Sequence, residues 1–199
     1  MINIERKTAE TEINLELNLY GEGKYELDTG IGFFNHMLEL MAKHGFMDLK
    51  LSVNGDLDVD EHHTVEDTGI VIGQAIKREL GDCKGISRYG NLLLPMDESL
   101  IMVAIDLSGR PYYEDDLVFT RTEVGEFPVE LMEEFFRSLT NNAEFNLHFK
   151  MLNGGNNHHL IEACFKGFGR ALDQAIRPDN RLKGKALSTK GSLNEEGRH

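Results

Sequence analysis

His62-His63-Thr64-Val65-Glu66 and His158-His159-Leu160-Ile161-Glu162 are two copies of one motif, His-His-x-x-Glu. Each copy begins a stretch whose apolar residues recur with the period of an α-helix. Gly-x-Ala follows the glutamate at the same distance in both copies, as Gly73-Gln74-Ala75 and Gly169-Arg170-Ala171. The repetition predicts a chain built by internal duplication.

The residue types of the motif predict metal ions. Residues three and four apart share a face of a helix, so the glutamate can meet either histidine. The two histidines project about 100° apart, which places them poorly for one ion and well for two. Imidazole and carboxylate suit a divalent transition metal, with Mn, Fe and Zn all open. The motif therefore predicts a protein that binds two metal ions.

Length and charge limit the class of protein. The 199 residues suffice for one good-sized domain or two small fused ones, and 40% hydrophobic and 28% charged residues are ordinary for a soluble globular protein. A net charge of −13 argues against a nucleic-acid partner, because phosphate backbones need clustered Lys and Arg. A few separated arginines could still bind a small phosphorylated metabolite.

The cysteines and the apolar content indicate a compartment. Cys83 and Cys164 lie far apart in the sequence, which is typical of reduced thiols and argues against disulfides and cysteine-type zinc sites. The first residues lack a signal-peptide pattern, and no apolar run is long enough to span a bilayer. We expect a cytoplasmic protein without a membrane partner.

Periodicity predicts the order of elements in the first half. Polar and apolar residues alternate over 2–8 and 11–20, which favours strands. The further expectations are a short return strand over 24–28, a helix over 33–44 with Gly45 as its C-cap, a strand over 48–55, a second strand over 56–60, and a helix from His62 to about Leu80.

The same order recurs in the second half. We expect strands over 92–94, 100–107 and 112–120, a helix over 129–141, a strand over 146–152, and a helix from the second motif to about Ile176. The tail from Arg181 is polar and aperiodic, so we expect it to be mobile unless something binds it. These patterns divide the chain into half-repeats 1–88 and 89–180 and a tail, 181–199.

Spacing extends the duplication to the first helix of each half. His36 lies 13 residues before Leu49, and Glu134 lies 13 before Leu147. Each half thus offers one ligand-type residue from its first helix and three from its second. The repeated strand and helix pattern favours an α+β fold with sheets covered on one face by helices.

Several candidate residues also have ordinary interpretations. Glu134 could belong to a solvated helix face, and His44 could compensate the dipole at a helix C-terminus. Glu10 has no claim from its local sequence, and Arg88 and Arg110 look like ordinary loop arginines.

The wider motifs resemble the imidazoleglycerol-phosphate dehydratase family. They are Phe33-Phe34-Asn35-His36-Met37-Leu38, both His-His motifs with their flanks, Ser108-Gly109-Arg110-Pro111, Phe165-Lys166 and Ser188-Thr189-Lys190. The resemblance runs from about residue 3 to residue 192. It implies an enzyme of histidine biosynthesis that dehydrates imidazole glycerol phosphate to imidazole acetol phosphate with two manganese ions. Without a phosphatase domain, the chain resembles the monofunctional form.

The resemblance also implies a set of site residues. The implied metal ligands are His36, His62, His63, Glu66, Glu134, His158, His159 and Glu162. Many relatives have histidine in place of Glu134, and the carboxylate would make one site more anionic. The implied substrate contacts are Glu10, His36, His44, His62, Arg88, Arg110, Lys166, Ser188 and Lys190.

The family's architecture supplies further expectations. These are two similar half-domains, with two four-stranded sheets sandwiching a layer of helices. They also include a cage of 24 subunits whose active sites lie at subunit contacts.

The chemistry of the dehydration suggests a mechanism. The proton that is lost has no neighbouring carbonyl to acidify it, so the imidazole ring must help. Metal binding at both ring nitrogens would give an imidazolate, which expels hydroxide. We expect Glu10 to act as the acid/base, assisted by His44 or by a metal-bound water. A two-metal hydrolase and a metal-storage assembly are the alternatives.

Overall fold

The computed structural model describes residues 1–189 and Leu193. In that part of the chain the strands are β1 (Ile2–Lys7), β2 (Thr11–Asn18), β3 (Tyr25–Asp28), β4 (Asp48–Gly55), β5 (Tyr89–Met96), β6 (Ser99–Asp106), β7 (Tyr112–Asp115), β8 (Glu123–Val124), β9 (Phe127–Pro128) and β10 (Asn146–Asn153). The α-helices are α1 (Gly32–Gly45), α2 (His62–Leu80), α3 (Glu130–Ala143) and α4 (Asn157–Ile176), and a 3-10 helix covers Asn180–Leu182.

The two halves have sheets of the same topology. Within the described residues the strand orders are β1-β2-β4-β3 and β5-β6-β10-β7. In each sheet the last strand runs parallel to its neighbour and the other pairs are antiparallel. Burial alternates along strand β2, where Thr11, Ile13, Leu15 and Leu17 are buried and the residues between them are not, so one face of the strand points to the core. The predicted α+β class and internal duplication are confirmed.

The helices lie between the two sheets. Helices α1 and α2 pack on the first sheet, α3 and α4 on the second, and across the middle α2 contacts α3 and α1 contacts α4. The repeated Gly-x-Ala makes these contacts possible. A Cβ at Gly73 would lie 2.4 Å from the Leu139 carbonyl oxygen, and one at Gly169 would lie 2.5 Å from that of Met41. The sandwich of helices between sheets is therefore confirmed.

Three local expectations for the first half were wrong. The short strand Tyr25–Asp28 does not return along β2 but runs parallel to β4 at the sheet edge. Residues 56–60 form a turn, in which Val59 N donates to Asp56 O (2.8 Å). Gly45 is the last helical residue rather than the cap, because its Cα faces Gly169; Phe46 takes the left-handed conformation, with φ 53°.

The second half departs from expectation after β7. That strand ends at Asp115, whose carboxylate accepts from Leu117 N (3.1 Å) and bends the chain. The unexpected β8–β9 hairpin follows. Asn157 anchors the segment before it, since its Oδ1 accepts from Thr120 N (3.0 Å) and its Nδ2 donates to Arg121 O (2.9 Å).

The end of the chain is only partly described. Residues 181–189 contact the end of the first half-repeat, where Gly85 N donates to Lys185 O (3.0 Å). The proposed division at residue 88 and the mobility of the tail stay predictions. No helix among the described residues combines the length and apolarity that crossing a membrane requires.

Candidate metal centre and active site

The starts of α2 and α4 place the histidine pairs on the first helical turn. Asn156 caps α4 by accepting from His158 N (2.9 Å), and Asp60 accepts from His62 N in the same way (2.8 Å). Such side-chain acceptors satisfy backbone donors that a helix start leaves free. Each histidine pair is thus fixed at the end of a helix, facing loops.

Helix α1 of the first half and helix α4 of the second half together form a group of potential ligands. His36, His158 and Glu162 each offer one atom, and these atoms all lie within 4.8 Å of one another. His158 Nε2 lies 3.1 Å and His36 Nε2 4.0 Å from Glu162 Oε2. Two imidazoles and a carboxylate at this spacing suit a divalent transition metal.

Glu162 is held in its charged form. Burial acts to raise its pKa, but hydrogen bonds from Lys166 and His158 outweigh that effect and hold the pKa below its ordinary value. Lys166 donates to Oε1, while Oε2 faces the two histidines. The carboxylate therefore presents its second anionic oxygen to the two histidines, where an ion would sit.

His44 lies near the end of α1, the helix that packs on α4. Burial lowers its pKa, and the positive charges of Lys166 and Arg170 lower it further. The structure thus brings His36, His44 and Lys166 together along the seam between α1 and α4, with His44 favoured in its neutral form.

The corresponding group in the first half is less complete. His62 Nε2 lies 3.7 Å from Glu66 Oε2. Although α3 packs on α2, Glu134 does not join them in a group of ligand atoms within 4.8 Å among the described residues. A ligand role for Glu134 stays a prediction.

The second histidine of each pair faces another direction. The rings of His62 and His63 stand 88° apart, and those of His158 and His159 stand 80° apart. His63 Nδ1 lies 3.0 Å from Asp56 Oδ2, and His159 Nδ1 lies 3.1 Å from Glu98 Oε2. A carboxylate on Nδ1 fixes the tautomer and leaves Nε2 for a metal ion.

These supporting carboxylates escaped the sequence reasoning. The hydrogen bond with Asp56 raises the pKa of His63. Hydrogen bonds to Glu98, of which the one from Asn156 N has the largest effect, lower the pKa of that carboxyl to about 2. Asp97, Glu98 and His159 form a second potential ligand group. The signal was positional: Glu98 immediately precedes β6 as Glu10 immediately precedes β2.

Glu10 sits at the tip of the β1–β2 hairpin. Its Oε1 lies 3.8 Å from His63 Nε2, and its side chain is 53% exposed. The carboxylate is therefore close to a candidate metal ligand and accessible to a substrate.

A cleft joins the two copies of the motif. It encloses about 620 Å³ and is lined by residues 30–33, Leu57, Glu61, the β8–β9 turn and His158. Because Glu61 directly precedes His62, both helix starts reach the same cleft.

The expected phosphate-binding residues lie elsewhere in the chain. Arg88 donates to both oxygens of Asp106 (2.7 and 3.0 Å) and to Leu187 O (2.7 Å), next to Ser188. Arg110 is exposed beside Ser108. Lys190 lies outside the described residues.

The length of α4 gives the separation between Arg88 and the candidate metal ligand His158. Arg88 N donates to Ala175 O at the C-terminal end of α4 (2.8 Å), whereas His158 begins that helix. The intervening residues span about 26 Å at 1.5 Å per residue. Within the described residues of one chain, Arg88 thus lies far from the ligand group of His36, His158 and Glu162.

Comparison with known proteins gives the family of this chain. The sequence profile of a family described as imidazoleglycerol-phosphate dehydratase matches residues 29–172. Proteins of that name from Clostridium botulinum and Clostridium acetobutylicum are each 58% identical over 190 residues, covering 96% of this chain and 96% of theirs.

Solved structures show the same fold. The crystal structure of imidazoleglycerol-phosphate dehydratase from Staphylococcus aureus has a TM-score of 0.81 and 40% identity, covering 88% of this chain and 98% of that one. The Pyrococcus furiosus structure, a complex with (S)-C348, has a TM-score of 0.82 and 35% identity, covering 96% and 100%. This chain belongs to the imidazoleglycerol-phosphate dehydratase family, a family of hydro-lyases.

Proposed function

We propose that the chain removes water from imidazole glycerol phosphate to give imidazole acetol phosphate, as an enzyme of histidine biosynthesis. The observation that carries the proposal is the ligand group His36, His158 and Glu162, formed in a fold whose relatives bear the dehydratase name. A substrate with two ring nitrogens also accounts for a motif that occurs twice.

The proposed cofactor is a pair of manganese ions, and the ligand chemistry leaves Fe and Zn open. The residues that would hold them are His36, His62, His63, Glu66, Glu134, His158, His159 and Glu162. When bound at these residues, the ions would supply Lewis-acid chemistry that makes loss of hydroxide from the substrate easier.

Glu10 is the proposed acid/base. The reaction breaks the C–O bond at the carbon attached to the ring and the C–H bond at the next carbon. The proton goes to the Glu10 carboxylate, which passes it to the departing hydroxide so that water leaves, and the resulting enol becomes the ketone when its hydroxyl proton moves to the carbon attached to the ring. His44, favoured as a neutral imidazole, can assist as a proton acceptor.

Arg88, Arg110, Ser188 and Lys190 are the proposed phosphate ligands, and Lys166 is a further substrate contact. Arginine suits this role because its guanidinium pairs with two phosphate oxygens. Arg88 is already oriented by Asp106, and its third bond holds the chain just before Ser188.

We further propose that several chains together build each active site. The separation of about 26 Å along α4 exceeds the span of one imidazole ring and a three-carbon phosphate. His63 and His159 also lie outside the ligand group that His36, His158 and Glu162 form among the described residues. The family resemblance favours a homo-oligomer of 24 subunits. A cytoplasmic location with no nucleic-acid or membrane partner completes the proposal.

One assay tests the reaction. Metal-stripped protein is assayed with imidazole glycerol phosphate before and after addition of Mn²⁺, and the ketone is followed as its enolate in base. We expect product only with the metal. Folded, metal-loaded protein without product would remove the dehydratase proposal and favour the storage alternative, whereas hydrolysis of phosphoesters without an imidazole would favour the two-metal hydrolase.

A further inference from the structure

Asp67, a residue of α2 outside the ligand set, contacts the hairpin that carries Glu10. Its carboxylate accepts from Thr11 Oγ1 and from Arg6 Nη1. Asp67 is 6% exposed and Thr11 2% exposed. Because a buried carboxylate without partners is costly, these bonds hold helix and hairpin in one relative position.

The bonds continue to the backbone of Glu10. Thr8 Oγ1 accepts from Thr11 N (3.0 Å) and from Glu10 N (3.1 Å), and Thr8 N donates to Thr11 O (2.9 Å). The side chain of Glu10 stays exposed while its backbone is fixed. Asp67 also follows Glu66 directly on the helix that bears His62 and His63. The bonds to Asp67 therefore fix the position of the hairpin tip relative to these candidate ligands.

The second half has the equivalent hairpin without this connection. Leu94 and Ser99 are the second-half equivalents of Arg6 and Thr11. They occupy the same positions in the β5–β6 pairing as Arg6 and Thr11 do in the β1–β2 pairing. The two motifs match Asp67 with Ala163. Ser99 Oγ is buried without a hydrogen-bond partner among the described residues. The duplicated hairpin can therefore fold without an acid and a base at these positions.

We propose that Asp67 and Thr11 are positioning residues that fix Glu10 relative to the histidines of α2. This inference rests on the proposed role of Glu10 in the dehydration. A small displacement of a proton-transfer group costs rate because the carboxylate must reach the substrate carbon at hydrogen-bond range. Metal ligands and phosphate ligands are untouched by this connection, so it acts on turnover rather than on binding.

The test uses Thr11→Val in the intact metal-loaded protein. Valine keeps the buried volume and removes the hydroxyl that donates to Asp67. We expect kcat to fall about 10- to 100-fold while KM and metal content stay near those of the unmodified protein. The unfolding midpoint should fall, because buried Asp67 loses one of its donors, but Arg6 still pairs with it and the protein should stay folded under assay conditions. Ser99→Ala is the matched control, because it removes an equivalent hydroxyl that has no partner, and we expect it to leave kcat unchanged.

A second background separates positioning from general damage. In the Glu10→Gln protein, Thr11→Val should cause no further loss of kcat, because the group it positions is already inactive. An equal loss in both backgrounds, or an unchanged kcat in the unmodified background, would overturn the proposal. Full activity of Glu10→Gln would instead remove Glu10 as the acid/base and leave Thr11 without its proposed role.

Hydrogen exchange gives a readout that does not need turnover. The amides of Glu10 and Thr11 should exchange several-fold faster in Thr11→Val than in the unmodified protein, and as slowly as before in Ser99→Ala. Unchanged exchange in Thr11→Val would overturn the connection itself. Faster exchange in a protein that never dehydrates the substrate would show that the connection exists and that the proposed function has failed.

Discussion

The first half-repeat and the second half-repeat have the same strand order, yet they use equivalent positions differently. In the first half the hairpin tip presents Glu10 as an exposed carboxylate, and Asp67 of α2 accepts hydrogen bonds from the same hairpin. In the second half the tip presents Glu98, which is bound to His159 and to Asn156 N. One tip holds a carboxylate free for chemistry, and the other uses its carboxylate to orient a histidine.

The outer faces of the two sheets also carry different residues at equivalent positions. Strand pairing matches Glu5 with Leu93, Glu12 with Leu100, Asn14 with Met102 and Glu16 with Ala104. Each first-half member is polar and each second-half member is apolar. Duplication thus produced two copies of a backbone, and later substitutions made one outer face suited to water and the other suited to burial.

The largest expected effect comes from breaking the more complete ligand group. His158→Ala should lower activity at least about 100-fold and reduce bound metal, because ligand loss exceeds the 10- to 100-fold effect typical of supporting residues. Metal per chain is measured by elemental analysis after desalting. His148→Ala is the control, since that histidine lies beside Tyr112 on the second sheet. Unchanged metal in His158→Ala would contradict the ligand assignment.

The supporting carboxylates allow a matched test of both halves. Glu98→Gln and Asp56→Asn should each weaken metal binding about 10- to 100-fold, because each releases the Nδ1 side of one histidine. Titration of metal into the stripped protein measures both affinities. If one variant weakens binding and the other does not, the two histidines are not equivalent ligands.

The sheet faces predict how copies of the chain associate. Leu93→Glu with Met102→Asn gives the second face the residues found at equivalent positions of the first, and we expect the assembly to break into smaller species. Sedimentation velocity measures the outcome. Glu5→Ala with Asn14→Ala is the matched change on the first face and should leave the assembly intact; dissociation by this control alone would reverse the assignment of the faces.

The smallest effect concerns what the halves share. Gly73→Ala and Gly169→Ala should each lower the free energy of unfolding by about 1–3 kcal/mol, because the added Cβ meets a backbone carbonyl of the facing helix. Chemical denaturation measures it. Gly32 has nothing within 4 Å of its Cβ position, so Gly32→Ala should change stability by no more than about 1 kcal/mol. Equal effects at all three positions would mean that helix propensity, not close packing, sets the cost.

The elements were predictable where one period governs a long stretch. Strand β4 and helix α2 were predicted within their observed bounds because alternation and helical spacing each repeat without interruption. Short segments failed. Residues 56–60 looked like a strand, but their aspartates satisfy turn backbone and His63 instead. Local pattern carries no information about which distant histidine a side chain will meet.

The candidate site divides along the same line. Its ligand types followed from the repeated motif, and the position of His36 followed from spacing. The supporting roles of Asp56, Glu98 and Asp67 depended on hairpins folding back onto helix starts. Those contacts join residues far apart in the chain, so no sequence window contains both partners.

The sequence by itself determined the duplication, the α+β class and the ligand residue types, because periodicity and spacing are local properties of the chain. Only the tertiary structure decided that His158 turns to His36 and Glu162 while His159 turns to Glu98. It also decided that the arginines lie at the far end of α4. The physical reason is that packing of α1 on α4 and of the hairpins on the helix starts selects among side-chain directions that the sequence leaves equally open.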